Sequence, residues 1–185
     1  QWDRSELDIT LYSCGEQIDD YSVRLQQKAD RWVNLSGQAD EACLAQILRD
    51  EIDILVDLSG HSEGGKLLAF ARKPAPIQIT GWGHCTGTGM SAMDYFFADS
   101  MIVPPEDTAH CAEEVVNLSC CLGFTPPTEA PEVASAPARA NGYVTFGCFN
   151  RVEKISDAAL NAWSRIVQKV GNARLLLKHV ALDED

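Results

Sequence analysis

The sequence is poor in positive charge: among 185 residues, 15 Lys and Arg stand against 27 Asp and Glu, a formal net charge of −12. A general grip on nucleic-acid backbones or anionic lipid needs clustered cations, so neither nucleic acid nor membrane is an expected partner. Any phosphate bound here has to be held by a few local groups. Long apolar runs are also missing. None reaches the ~18 residues that suggest a membrane-spanning helix, and the opening QWDRSELD lacks both the basic start and the apolar stretch of a signal peptide. The expectation is a soluble, cytoplasmic chain. A third absence is any CxxC spacing among the seven cysteines. A disulfide framework belongs to small secreted domains that cannot build a core, and this chain is long enough to build one, so reduced thiols are expected. The pairs His84/Cys85, His110/Cys111 and Cys120/Cys121 are adjacent, a spacing tetrahedral zinc rarely uses, and no metal is expected.

What is present is an alternation of strand-like and helix-like segments, in a chain that is 45% hydrophobic. Ile9 to Ser13, Trp32 to Leu35, Ile77 to Thr80 and Tyr95 to Ala98 read as strands, and Tyr21 to Ala29 and Leu67 to Ala71 as helices. Leu44, Ile47 and Leu48 form a helical stripe. Ile52 to Leu58 is nearly continuous in apolar residues, the pattern of a parallel strand covered on both faces. Strands alternating with helices of about ten residues indicate βαβ units and an open α/β sheet. The segment from Pro126 to Asn141 has four prolines, many alanines and no aromatic residue, and is expected to run extended as a connector. Beyond it, Tyr143 to Phe149 reads as a strand and Ser156 as an N-cap. Leu160, Trp163, Val167 and Val170 form a buried helical stripe, Gly171 stops the helix, and Arg174 to Lys178 is a second strand.

Three glycine-bearing loops follow strands, where open α/β sheets bind ligands. In DLSGHSEGGK (57–66) the glycines allow close backbone approach, while His61 and Ser62 offer polar contacts; a turn with a solvated histidine fits the same residues. In GWGHCTGTGM (81–90), Thr86 stands where a dinucleotide fingerprint needs its third glycine, and no Walker A spacing exists. What remains is a flexible loop carrying His84. In FGCFNRVEKI (146–155), Asn150, Arg151 and Lys154 gather between a strand and a helix N-terminus, where unpaired N–H groups favour an anion. Lys154 suits a phosphate as a point charge and Arg151 as a bidentate donor, although both also read as solvated surface cations.

These loops, with RKPAPIQ (72–78), MDY (93–95) and GYVTFGCFNRVEKIS (142–156), strongly resemble the catalytic region of the O-GlcNAc transferase and SPINDLY family, from DRSELDITLYS to RLLLK. The resemblance implies a Rossmann-like open parallel sheet within a GT-B glycosyltransferase. Residues 1–125 would be the later part of the N-terminal lobe, 126–141 an inter-lobe linker, and 142–185 the first βαβ unit of the C-terminal, nucleotide-sugar-binding lobe. It also implies tetratricopeptide repeats N-terminal to this region, and inverting transfer of a sugar, GlcNAc from UDP-GlcNAc, to Ser or Thr of protein acceptors, with no metal. Lys154 would contact the diphosphate as the catalytic cation, assisted by Asn150 and by Arg151, which stands where the family often has Gln or Asn.

Gly60, His61, Ser62, Lys66, Gly83, His84 and Thr86 would line the cleft. Gly81, His84 and Cys85 replace the Trp, Tyr and Pro of the family's WLGYPGTSG loop, and Lys66 replaces an arginine. The family's His-Pro-Thr segment and its His-x-Thr-Thr-Gly donor loop do not occur in this sequence, so the segment by itself is expected to be inactive. A non-enzymatic α/β protein-binding module is the alternative reading.

Overall fold

The computed structural model describes residues 3–121, 127 and 129–182. They fall into two compact units, Gln1–Phe124 and Thr125–Asp185.

In the first unit every strand pairing is parallel. Strand β1 (Thr10–Ser13) pairs with β2 (Arg31–Asn34), and helix α1 (Asp20–Lys28) connects them. Asp19 caps α1 by accepting the Ser22 N–H at 2.8 Å, one of the donors a helix start leaves orphaned. Helix α2 (Asp40–Asp50) leads to β3 (Ile54–Asp57), and α3 (Leu67–Phe70) to β4 (Ile77–Gly81). Strands β5 (Tyr95–Ala98) and β6 (Glu114–Asn117) complete a sheet of order β3-β4-β5-β6. The core lies on one face of it, where Ile47 of α2, Leu55 of β3, Phe70 of α3, Ala75 and Met93 pack together. A second cluster, Phe96, Ala98 and Val103, sits under β5.

Two sequence expectations change here. Strand β3 is covered on one face only: Leu55 and Asp57 are buried, whereas Ile54 and Val56 are 51% and 42% exposed, because α2 and α3 cover the Leu55 side. On α2 the buried pair is Cys43 and Ile47, while Leu48 points outward. Cysteine at i with isoleucine at i+4 makes the apolar stripe, and a count restricted to aliphatic residues passes over it.

The second unit is one βαβ element. Strand β7 (Val144–Cys148) and β8 (Ala173–Leu177) pair in parallel, joined by α5 (Asp157–Val170). Ser156 caps α5 through its hydroxyl, which accepts the Ala159 N–H, and Gly171 ends it at φ 78°. The stripe on α5 faces the strands, but two strands make a narrow platform. Trp163 and Val167 are half-buried, and Leu160 and Val170 remain exposed rather than buried. The expected connector also departs from its extended reading, since Pro137–Asn141 forms a short helix, α4, against β7. Proline is favoured at a first helical position, and Gly142 closes the turn at φ 73°.

Candidate functional site: loops at the carboxyl ends of the strands

At the end of β3, an otherwise apolar strand puts a carboxylate into the interior. Asp57 accepts the Ser59 N–H at 3.0 Å, the Gly60 N–H at 3.0–3.1 Å and the Thr80 hydroxyl of β4 at 2.8 Å. It folds the loop after β3 back over the strand and ties that loop to β4. The loop after β4 is pressed against it. A Cβ on Gly83 would come within 2.5 Å of the Ser59 carbonyl carbon, and one on Gly60 within 2.9 Å of the His84 Cβ. Gly60 also holds φ at 53°, so glycine at both positions is what lets two backbones touch.

This contact brings together several of the residues singled out in the sequence. His61 and His84 meet edge to face, with ring centroids 5.7 Å apart. The Thr86 N–H donates to His84 Nδ1 at 3.3 Å, and the Thr86 hydroxyl lies 2.9 Å from the same nitrogen. His61, Ser62, His84 and Thr86 are exposed, and the two imidazoles form no ion pair with a carboxylate among the described residues. Lys66 is engaged elsewhere: its ammonium donates to the Gln38 carbonyl at 2.8 Å and pairs with Asp40 at 3.6 Å. Trp82, at φ 64°, donates its indole N–H to the Cys121 carbonyl at 2.9 Å and lies edge-on to Phe97. A hollow of about 160 Å³ opens between Trp82, His84, Cys85 and Phe97. Asp99 supports the neighbouring turn. The Cys121 N–H and then the Ile102 and Met101 N–H groups donate to its carboxylate and hold it below the usual carboxylate range.

Asn150, Arg151 and Lys154 belong to the second unit, on the loop leaving β7. Asn150 closes the turn by accepting the Arg151 N–H at 3.0 Å, and Val152–Lys154 form a 3-10 turn that feeds into the Ser156 cap of α5. The Arg151 and Lys154 side chains are exposed and enter no ion pair among the described residues. Beside them in sequence, Phe149 lines an open hollow of about 550 Å³ with Lys178, His179 and Val180, from the loop after β8. Neither Lys178 nor His179 carries a site signal in the sequence, where Lys178 reads as the end of the strand from Arg174 and His179 follows it. Among the described residues, no group of three or more His, Cys, Asp or Glu side chains could hold a metal ion. No helix among them is long and apolar enough to cross a membrane.

Two of the motifs that carry the resemblance, RKPAPIQ and MDY, are architectural. Lys73 of RKPAPIQ, at φ 53°, donates to the carboxylate of Asp94 in MDY, which also accepts the Gln78 N–H at 2.7 Å. These two donors, Lys73 foremost, keep Asp94 below the usual carboxylate range. The fully buried Gln78 amide donates to the Phe70 and Ala92 carbonyls at 2.9 and 2.8 Å. The two motifs lock each other and fix where β4 and its loop begin.

Glycine-bearing loops at the carboxyl ends of parallel strands are where open α/β sheets in general bind ligands. Comparison with known proteins specifies the class. The model of glycosyl transferase family 41 matches residues 1–122, and the chain belongs to that family. It is 36% identical over 181 residues to a protein of Arabidopsis thaliana and 38% over 181 residues to one of Eustoma exaltatum subsp. russellianum. Both are named "Probable UDP-N-acetylglucosamine--peptide N-acetylglucosaminyltransferase SPINDLY". Each match takes in 95% of this chain and 20% of the relative, so the chain spans about a fifth of the length of these curated relatives. A solved structure of the Thermobaculum terrenum O-GlcNAc transferase, a lysine-to-methionine mutant, superposes with a TM-score of 0.83 at 38% identity, over 95% of this chain and 33% of that one. The expected class, an open parallel α/β sheet forming part of a GT-B glycosyltransferase, therefore holds.

Proposed function

We propose that this chain is a segment of a cytoplasmic, nucleotide-sugar-dependent peptide O-glycosyltransferase, with tetratricopeptide repeats N-terminal in the parent protein. Residues 1–125 serve as the later part of the N-terminal lobe, 126–141 as the linker and 142–185 as the opening of the donor-binding lobe. The observation that carries the reading is the pair of exposed cations, Arg151 and Lys154, which form no ion pair among the described residues and lie between the carboxyl end of β7 and the capped start of α5. Inverting transfer joins the acceptor Ser or Thr oxygen to the anomeric carbon as that carbon's bond to the β-phosphate oxygen breaks and the hydroxyl proton passes to solvent water. Negative charge then grows on the departing UDP. The Lys154 ammonium, with the N–H groups at the start of α5, supplies fixed positive charge where it develops. Asn150 shapes the turn that presents these groups, and Arg151 adds a second cation to the diphosphate. No metal is required in this scheme. The loops carrying Gly60, His61, Ser62, Gly83, His84 and Thr86 serve the acceptor, and Lys66 holds the first of them in place through Gln38 and Asp40.

The test is turnover by the full-length parent. Hydrolysis of UDP-GlcNAc or its transfer to protein is expected, with a large loss in Lys154→Ala and none by residues 1–185 alone. A parent inactive with both UDP-GlcNAc and GDP-fucose would refute the reading, and turnover by the isolated chain would refute its dependence on the rest of the parent.

A further inference from the structure

We infer that Glu113 is a positioning residue for the loop after β4, holding His84 and Thr86 where an acceptor chain meets them; this rests on the transferase reading above. Glu113 immediately precedes β6 and is 5% exposed. Its Oε1 accepts both the N–H of Thr88, at 2.6 Å, and the Thr88 hydroxyl. Its Oε2 is buried with no hydrogen-bond partner among the described residues, and a Cβ on Gly87 would press directly on that oxygen. The carboxylate is thus pressed against the loop backbone, with one oxygen left unsatisfied at a cost.

That cost has a geometric return. The loop is clamped at its start by Gly83, against the backbone of Leu58 and Ser59, and at its end by Thr88 on Glu113. Between the clamps, His84, Cys85 and Thr86 are exposed, at the carboxyl end of β4 where ligands approach an open α/β sheet. Glu113 reaches the loop from the approach to β6, two strands away in the sheet. The loop tip is therefore referenced to the sheet and not only to its own stem. A tip held this way selects acceptors by geometry, since small misplacements of contacting groups cost large factors in rate.

In the full-length parent, Glu113→Ala is expected to lower kcat/KM at least tenfold for a single-serine peptide that the wild type glycosylates. Most of the loss should fall on the acceptor KM, with hydrolysis of UDP-GlcNAc by water within twofold of wild type. Glu113→Gln keeps an acceptor oxygen for Thr88 and should recover most of the loss. Thr88→Val, which removes the hydroxyl donor alone, should fall between. Amide exchange in residues 83–90 should rise in Glu113→Ala while β3 to β6 stay protected. Equal loss of hydrolysis and transfer, or loss of protection throughout the sheet, overturns the inference in favour of general structural support; unchanged transfer and exchange overturn it as well. A wild-type parent without turnover refutes the transferase reading instead, and the exchange measurement still decides whether Glu113 holds the loop.

Discussion

The hydroxyl of Thr80 donates to Asp57 Oδ2 at 2.8 Å, with both side chains buried. This bond joins the ends of β3 and β4, and the same carboxylate holds the Gly60 and Ser59 N–H groups. Removing the carboxylate strands a buried hydroxyl and a buried N–H together. Asp57→Ala is expected to cost about 2–4 kcal/mol and Thr80→Val about 1 kcal/mol. Urea midpoints give both values, and the double mutant should cost less than their sum, because the two residues share one interaction.

The contact between the two loops makes a sharper steric prediction. Gly83→Ala drives a methyl to 2.5 Å from the Ser59 carbonyl carbon and 2.6 Å from the Leu58 carbonyl, where only backbone can give way. A loss of about 1–3 kcal/mol is expected, with displacement of His84 visible as altered histidine NMR shifts. Gly89 holds φ at 74°, and no atom of the described residues lies within 4 Å of its hypothetical Cβ, so Gly89→Ala should cost about 1 kcal/mol from backbone strain alone and leave the shift of His61 unchanged.

Asp50 gives the fold a pH-dependent element. Burial raises its pKa, but hydrogen bonds from Tyr12 (2.6 Å), Gln46 and Arg31 (2.6 Å) outweigh that and bring it from 3.8 to about 2. A carboxyl depressed in the folded state stabilises it above the ordinary value of 3.8, and that contribution disappears as pH falls through about 2. Arg31 is half-exposed and screened by solvent, so the contribution is about 1–2 kcal/mol. The stability gap between wild type and Asp50→Asn should shrink as pH falls from 5 to 2. A constant gap over that range would rule the linkage out.

The sequence exposes most strands and helices because their apolar periods are complete. Strand β6 escapes notice because only Val115 and Val116 separate Glu114 from Asn117, too short a run to carry a period. Helix α4 is hidden by composition, since Pro137 opens it in a segment whose other prolines argue for extended chain. The glycine loops are legible because they follow strands. Their anchors are not, since Asp57 reaches Thr80 across 23 residues and Glu113 reaches Thr88 across 25. Asp57 did leave a signal, as the one charged residue ending the most apolar strand. Glu113 left none.

Lys66 and Lys154 are equivalent in the sequence, each a lysine in a loop after a strand, but differ in their surroundings. Lys66 is 18% exposed and spends its charge on Asp40 and the Gln38 carbonyl, whereas Lys154 is exposed and enters no ion pair among the described residues. Lys66→Ala should therefore act on stability, by about 1 kcal/mol, and change turnover in the parent protein only a few-fold. Lys154→Ala should leave the urea midpoint unchanged and lower donor turnover by about 10²–10³, the scale for losing a group that stabilises developing charge. Arg151→Asn should weaken UDP binding and flatten its dependence on salt, because one of two screened cations is gone. Measuring unfolding and donor kinetics on the same three variants separates the roles. A Lys154→Ala protein that is destabilised but catalytically normal would reverse the assignment.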